Sequence, residues 1–373
     1  MAGDLRMSDA EEVVWSEQGT TPDAIEAALR RLIAEKHAQN GGYVPARVLN
    51  MLVFVEDRYS TQIAQRLSGV GRYHASRTVV FAYDPDREEI NARVSIASEG
   101  EPGPETLALV RETATVEIGE RHLDDLPTIA DPLVVSDLPT LLWSPHSHPT
   151  EADTLLGLAQ ATLIDSIEAP TWSEAIARAC ALSEQAYVVD LAWLRSTPWR
   201  ERMAAVFDPQ DMRAALQGLR ELEIRHHPDS TVAAMLLVGW LASRLGWELD
   251  RSQIAEPPGR DGLLIGRARA AGGADIDLRL RAAPELEVPG LAGIKLNSYD
   301  GLELSLDRGP GGLHARRRDG GEDAVERAWT LLGASRGERG ILGEGIRQAL
   351  LRDPTYTPAL HAAEAMLPEV AAA

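Results

Sequence analysis

Trp193, Arg195, Trp199 and Arg200 fall within one short stretch, Asp190-Leu-Ala-Trp-Leu-Arg-Ser-Thr-Pro-Trp-Arg200, which runs on to Phe207-Asp208. Tryptophan and arginine are the side chains most enriched among residues that dominate protein–protein binding energy. Each offers a flat surface and fixed hydrogen-bond donors, so the chemistry of this set is recognition, not bond making. The four are assigned as a candidate partner-binding set. Thr197 is placed to cap a helix by accepting a backbone N–H. Pro198 suits the first helical position, where its missing N–H is not needed. Trp199, Met203 and Val206 then recur at helical spacing on one face. The same side chains also suit a core, with Arg195 and Arg200 paired to internal carboxylates such as Asp190. Residue type and spacing leave the exposed and the buried arrangement equally open.

No other stretch carries a stronger chemical signal. His146 and His148 stand two apart after an apolar run ending at Trp143. A stable metal site wants three or four ligands, and no third follows at a recognisable spacing. His226-His227-Pro228-Asp229 reads as a surface loop ahead of a buried helix, with Asp229 or Ser230 as its N-cap. Glycines cluster at Gly69-Val-Gly71, Gly272-Gly273, Gly309 to Gly312 and Gly320-Gly321. None comes with the Lys and Ser/Thr of a phosphate-binding loop. Gly69 and Gly71 follow a helix rather than open one, which is the wrong end for an anion. Arg316-Arg317-Arg318 reads as an alternating strand with solvated charges, or as a contact for an acidic partner surface. The sequence contains no G-x-S-x-G, H-E-x-x-H or C-x-x-C. The expectation is a protein that is not an enzyme, with no catalytic residue, no metal and no cofactor.

Charge narrows the partners. The chain has 373 residues with 57 acidic and 37 basic side chains, a formal net charge of −20. A field of that sign repels phosphate backbones and anionic lipid, so neither nucleic acid nor a membrane is an expected partner. The most apolar window, residues 232–242, is well short of the roughly 20 residues that span a bilayer. Residues 1–15 are polar and acidic, without the basic-then-apolar pattern of a secretion signal. Cys180 is the single cysteine. It can form no internal disulfide, suits a small buried hydrophobe better than a reactive thiol, and the chain reads as cytoplasmic.

The elements that position these residues follow from periodicity. Residues 1–20 read as a flexible tail, and Thr21-Pro22-Asp23 opens a helix reaching about Gln39. Residues 48–55 and 77–83 are near-continuous apolar runs, as in strands covered on both faces. The helix at 60–68 between them implies a right-handed parallel crossover. Residues 91–97 and 114–118 alternate as antiparallel strands, and 139–143 and 162–165 add two more, with a helix near 151–160 between them. Helices dominate from 171 to 250, at 173–183, 198–207, 211–217 and 231–245. Pro257-Pro258-Gly259 breaks the pattern. Strands at 262–267, 275–281, 293–298, 302–306 and 314–318 form an antiparallel meander with one solvated face, and helices at 325–333 and 341–352 close the chain. The fold class is α/β and α+β. An N-terminal layered α/β domain with a mixed sheet covers 21–168. A C-terminal α+β domain covers 169–373, with a helical segment at 171–250, antiparallel strands at 262–318 and helices at 325–352.

The order of these pieces resembles the glucose-6-phosphate dehydrogenase assembly protein OpcA family. The first similar stretches are Ile25-Glu26 through Leu29, Arg47-Val-Leu-Asn-Met-Leu-Val53, Ser76-Arg77 with its strand, and Leu141-Leu-Trp143. The later ones are residues 190–200 with Phe207-Asp208, Gly239-Trp-Leu-Ala-Ser-Arg-Leu-Gly-Trp247, and Asp353 to Leu360. Residues 190–200 are the most specific of these. The Tyr43 region and the acidic N-terminal tail fall outside the pattern, and one cysteine leaves no pair for a thiol switch within the chain. The resemblance implies a non-enzymatic partner of glucose-6-phosphate dehydrogenase. Such a partner promotes assembly or allosteric activation of that enzyme in the oxidative pentose phosphate pathway. The alternative is a sugar-phosphate- or nucleotide-binding protein, or a degenerate enzyme, using the N-terminal α/β domain. Ligands of such sheets sit beyond the carboxyl ends of the strands, here after Val55 and Trp143.

Overall fold

The computed structural model of the protein describes residues 12–45, 47–68, 76–99, 108–146, 149–249, 254–257, 259, 261–320, 325–332 and 337–367. In chain order the first elements are β1 (Glu12–Glu17), α1 (Pro22–Gln39), β2 (Tyr43–Val44), β3 (Leu49–Glu56), α2 (Asp57–Ser68), β4 (Ser76–Tyr83), β5 (Asn91–Glu99) and β6 (Ala108–Ile118). Then come α3 (Leu126–Ala130), β7 (Thr140–Trp143), α4 (Pro149–Asp153), β8 (Ala161–Ile164), α5 (Trp172–Ser183), β9 (Tyr187–Asp190), α6 (Leu191–Arg195), α7 (Thr197–Phe207) and α8 (Gln210–Gln217). The next are β10 (Leu219–His226), α9 (Thr231–Leu245), β11 (Glu248–Leu249), β12 (Leu263–Arg269), β13 (Asp275–Ala282) and β14 (Leu291–Ser298). The last are β15 (Glu303–Gly309), β16 (Gly312–Arg318), β17 (Glu326–Leu332), α10 (Gly337–Leu351) and α11 (Tyr356–Glu364). The class is mixed α/β, as periodicity implies. No helix among the described residues is long and apolar enough to cross a membrane.

The chain divides into two compact units. One runs to Ile164 and takes in Gln185–Val189 and Glu338–Leu351; the other comprises Asp165–Glu184, Asp190–Gly337 and the residues from Arg352. Each unit is therefore assembled from separated stretches, where a cut at 168 treats each as continuous.

In the first unit one sheet runs β1-β5-β6-β4-β3-β7-β8-β9, with β2 beside β6. The central pairings β6·β4, β4·β3, β3·β7 and β7·β8 are parallel. The outer pairings β5·β6 and β1·β5 are antiparallel. β3 is buried along all but its last residue, which is why its apolar run is continuous and not alternating. Residues 12–17 are not part of a flexible tail: β1 adds an edge strand in register with β5, from Glu12 opposite Ala97 to Glu17 opposite Ala92. Val13, Val14 and Trp15 favour a strand, and the edge of β5 supplies the unpaired backbone groups it pairs with. Pro22 sits in the first turn of α1, where Thr21 accepts from the Ala24 N–H at 3.3 Å. Inside this unit Glu112 on β6 is 1% exposed and accepts from Arg77 Nε on β4 at 2.7 Å and from Arg47 Nε.

In the second unit the sheet order is β11-β12-β13-β10-β14-β15-β16-β17. It corrects the expected antiparallel meander. β10 lies inside the sheet, parallel to β13 and antiparallel to β14, so β13 and β14 are not neighbours. Within the nominally helical stretch 171–250, β10 buries Leu222, Ile224 and His226 at alternate positions. Residues 325–333 are also corrected: they hold β17, paired antiparallel with β16 from Gly312 opposite Leu332 to Arg318 opposite Glu326. Glu-Arg-Ala-Trp-Thr-Leu-Leu has no strong local preference, and cross-strand pairing decides its state. One sheet face is apolar, with Ile276, Leu278, Leu280, Leu222, Ile224, Ile294, Leu296, Leu304 and Leu306 all buried. The opposite face carries the charges, including Arg267 near Asp277 and Arg279 with Glu221. The run Arg316-Arg317-Arg318 lies on β16, with Arg317 Nε donating to Asp319 at 2.5 Å.

α9 packs against α11, β10 and β13. Gly239 sets the approach of α9 to α11, because a Cβ built there would lie 2.1 Å from the Ala359 carbonyl oxygen. Gly239→Ala is expected to cost about 1–3 kcal/mol through overpacking against backbone. Thermal unfolding of the variant checks this, and an unchanged melting temperature means the two helices separate freely.

Candidate functional site

The Trp/Arg stretch begins where β9 ends. Asp190 is 1% exposed and caps α6, accepting from the Ala192 N–H at 2.9 Å. The same carboxylate accepts from the Ser166 N–H at 3.2 Å and the Ser166 hydroxyl at 2.5 Å. Burial pushes its pKa up from 3.8 to about 6 against those hydrogen bonds, with the nearby Asp165 charge adding to the rise. The native state thus holds this proton more tightly than the unfolded chain, and folding takes up a proton between these two values. The contribution is complete below about pH 4 and lost as pH rises through about 6. Relative to Asp190→Asn, the wild-type protein is expected to lose about 3 kcal/mol of stability between about pH 3 and pH 7, from about 1.36 kcal/mol per pKa unit. Paired denaturant titrations across that range test it. Parallel curves for the two proteins would show that Asp190 titrates normally.

Expected capping by Thr197 is corrected. The helix α7 starts at Thr197 itself, and its cap residue is Ser196, whose side chain makes no capping bond. The Ser196 hydroxyl instead donates to the Trp193 carbonyl at 2.8 Å and accepts from Arg200 Nη1 at 2.5 Å. Thr197 Oγ1 accepts from Arg200 Nη2 at 3.1 Å. Both hydroxyls are used by the arginine, so neither serves the helix start.

Of the two arrangements left open by residue type, the structure has the buried one. Trp193 and Trp199 are each 2% exposed and Arg200 is 7% exposed. The Arg200 guanidinium lies 3.3 Å from the centroid of the Trp193 ring, a cation–π stack away from water. Its Nη1 donates to the Trp193 carbonyl at 2.8 Å. Trp193 Nε1 donates to Asp353 Oδ2 at 2.9 Å, and Asp353 also lies 3.8 Å from Arg200 Nη2. The Tyr356 ring meets Trp193 edge-on at 5.6 Å. Arg195 is paired separately, through two parallel bonds of 2.7 Å to Asp165. Its side chain is 8% exposed. A partner would have to unpack these four residues to touch them. The assignment of Trp193, Arg195, Trp199 and Arg200 to a contact surface is corrected to an internally paired cluster.

Electrostatics fit that burial. Burial lowers the Arg200 pKa to about 9, with Asp353 and Glu201 opposing, so the guanidinium stays charged at neutral pH. Burial alone would raise Asp353. The Thr355 hydroxyl and amide, the Trp193 indole and Arg200 outweigh it and hold the carboxyl below its usual value. The cluster is an ion pair wrapped in aromatic surface.

Asp353, Asp165 and Tyr356 carry this cluster and are not signalled by local spacing. Asp353 and Tyr356 belong to the closing stretch from Asp353 to Leu360, far along the chain from Trp193. Two family-like stretches thus meet in one cluster, and nothing in their local spacing links them.

The remaining candidates fall elsewhere. His146 stacks on Tyr59 at 4.4 Å, and His148 lies outside the described residues. His226 is not on a surface loop: it is 2% exposed at the end of β10, and burial lowers its pKa. His227 caps the turn that follows, accepting from the Asp229 N–H at 3.2 Å. Gly272-Gly273 and Gly309 to Gly312 join strands, while Gly69, Gly71 and Gly321 lie outside the described residues. Cys180 is buried, and burial with Glu364 beside it pushes the thiol up to about 12.

The first unit has the strand-order reversal on which the alternative reading depends. The chain passes from β3 to β4 on one side and later to β7 on the other, so strand order reverses between β3 and β7. Ligands of open α/β sheets bind at such points. Here β3 passes directly into α2 with Asp57 in its first turn, and a carboxylate there disfavours phosphate.

Two family models match the chain. One, described as the glucose-6-phosphate dehydrogenase subunit N-terminal domain, covers residues 68–181. The other, described as the C-terminal domain of the same subunit, covers residues 186–360. Together they take in more than three quarters of the sequence. A Synechococcus elongatus relative carrying the name OpcA is 26% identical over 141 residues, which are 37% of this chain and 32% of the relative. A Nostoc punctiforme relative of the same name is 25% identical over 173 residues, 45% of this chain and 37% of the relative. The chain spans about a third of the length of these curated relatives. Among solved structures it is similar to an oxidoreductase from Sinorhizobium meliloti, at 13% identity and a TM-score of 0.49 over 85% of this chain and 95% of that one. No functional argument attaches to a likeness at that level. With both parts of the sequence matched in order, the chain belongs to the OpcA family of glucose-6-phosphate dehydrogenase assembly proteins.

Proposed function

We propose that the protein is a non-enzymatic assembly factor and allosteric activator of glucose-6-phosphate dehydrogenase in the cytoplasm, acting by protein–protein binding in the oxidative pentose phosphate pathway. The observation that carries this reading is the pair of family matches, both described as domains of a subunit of that dehydrogenase. The physical mechanism is differential affinity. A partner that binds the active arrangement of the enzyme better than the inactive one shifts its population. A tenfold shift takes only about 1.4 kcal/mol of preference. The buried Trp/Arg cluster serves this role indirectly, by holding α6, α7 and the segment before α11 in one rigid arrangement.

The test is saturation kinetics of the cognate dehydrogenase with and without this chain, after co-purification of the two. The expected result is no turnover by this chain alone and a changed substrate response in the mixture. Unaided consumption of a metabolite, or an unchanged dehydrogenase at micromolar concentrations of both, overturns the reading.

The strand-order reversal between β3 and β7 favours a second reading, a sugar-phosphate or nucleotide site in the first unit. Thermal shift with glucose 6-phosphate and NADP separates the two. A shift with either ligand, and no effect on the dehydrogenase, selects the second.

A further inference from the structure

Cys180 on α5 faces α11, where His361 and Glu364 stand three residues apart. That spacing puts both on one face of a helix. One donor atom from each of the three side chains lies within 4.8 Å of the others. His361 Nδ1 is already 3.7 Å from Glu364 Oε2, and the Cys180 sulfur lies within 4.8 Å of both. Sulfur, imidazole nitrogen and carboxylate oxygen are the ordinary donors of zinc, with bonds of about 2.3 Å to sulfur and about 2.0–2.2 Å to nitrogen or oxygen. Tetrahedral bonds of those lengths separate donor atoms by roughly 3.3–3.7 Å. The three side chains therefore need to close by about 1 Å. The His361 side chain is 54% exposed and that of Glu364 is 39% exposed, so both have room to turn.

We propose that Cys180, His361 and Glu364 form a binding site for zinc or a similar borderline-soft divalent cation, with the fourth position open to water. The charges balance: one thiolate and one carboxylate neutralise a doubly charged ion, and the imidazole binds neutral. On binding, the thiol proton leaves to solvent and the sulfur–metal bond takes its place. Glu184, whose charge also reaches Cys180, adds to the negative field that draws a cation in. The ion would tie α5 to α11, two helices far apart in sequence, without entering the Trp/Arg cluster. No metal was expected from motif spacing, because the cysteine and the His-x-x-Glu pair become neighbours only when these helices pack.

Cobalt(II) titration of the full chain under reducing conditions tests the proposal. The expected result is one equivalent per chain, with a thiolate-to-cobalt charge-transfer band and the intense visible bands of a tetrahedral ion, displaced by zinc. Cys180→Ser should abolish the charge-transfer band. His361→Ala and Glu364→Gln, both at the surface, should each weaken cobalt binding by about tenfold or more. Far-UV circular dichroism confirms that each variant is folded. No charge-transfer band in the wild-type chain overturns the site, as does a band that survives Cys180→Ser or is indifferent to both surface variants.

Discussion

Replacing Trp193 with alanine is expected to destabilise the second unit by about 3–5 kcal/mol, the range for truncating a large buried aromatic. Three losses add. The ring is 2% exposed and leaves a cavity. The Arg200 guanidinium loses the surface it stacks on. Asp353 loses the indole N–H that donates to it at 2.9 Å. Trp193→Phe separates these terms, since it keeps a stacking ring and removes only the N–H. A hydrogen bond to a charged group is worth about 1.5–3 kcal/mol, so the phenylalanine variant should fall between wild type and alanine. Urea denaturation followed by circular dichroism measures both. A Trp193→Ala protein within 1 kcal/mol of wild type, on the order of an ordinary surface change, would mean that the cluster does not hold the unit together. The consequence for function is practical. Loss of dehydrogenase activation in Trp193 or Trp199 variants has to be read against their stability, because these residues are interior.

Removing the Glu112 carboxylate should be about as costly in the first unit. Glu112 is 1% exposed and accepts from both Arg77 and Arg47, while the Arg77 side chain is 7% exposed. Glu112→Ala leaves the Arg77 charge buried without its main partner, and breaking a buried pair from one side costs about 3–5 kcal/mol. Removing both charges is a different experiment. Glu112→Leu with Arg77→Leu removes the desolvation penalty together with the attraction, and is expected to recover most of the loss. Hydrogen exchange localised to β4 and β6, with denaturant midpoints, distinguishes the outcomes. Equal destabilisation in the single and double variants would mean that packing volume, not charge, is what Glu112 supplies.

Much of the architecture is legible in the sequence. The apolar pattern puts α9 at residues 231–245, and it runs from Thr231 to Leu245. Its nearly uniform apolar composition matches burial on all sides, and Gly246, at a φ of 67°, ends it. β3 and β4 were legible for the same reason: parallel strands buried on both faces read as unbroken apolar runs. β10 and β17 were not. Leu-Arg-Glu-Leu-Glu-Ile-Arg-His fits a helical or a strand period about equally well over eight residues, and only the partners β13 and β14 select the strand. β1 is short, and although Val13-Val-Trp15 favours a strand, nothing in it announces the edge of β5.

The candidate site divides in the same way. Trp193, Arg195, Trp199 and Arg200 stood out by residue type, and the family-like stretches that contain Trp193 and Asp353 could be named separately. That the cluster faces inward could not be read, because tryptophan and arginine serve an interface and a satisfied interior with the same chemistry.

By itself the sequence determined the periods, and so which residues share a face, where most helices and strands lie, and which family the order of pieces belongs to. Tertiary structure alone decided which faces meet. The Arg200 guanidinium is buried rather than presented because Asp353 arrives from a distant stretch to neutralise it. Cys180 acquires His361 and Glu364 as neighbours by the packing of two helices. Local spacing carries no information about such pairings, because their energy resides in contacts between residues far apart along the chain.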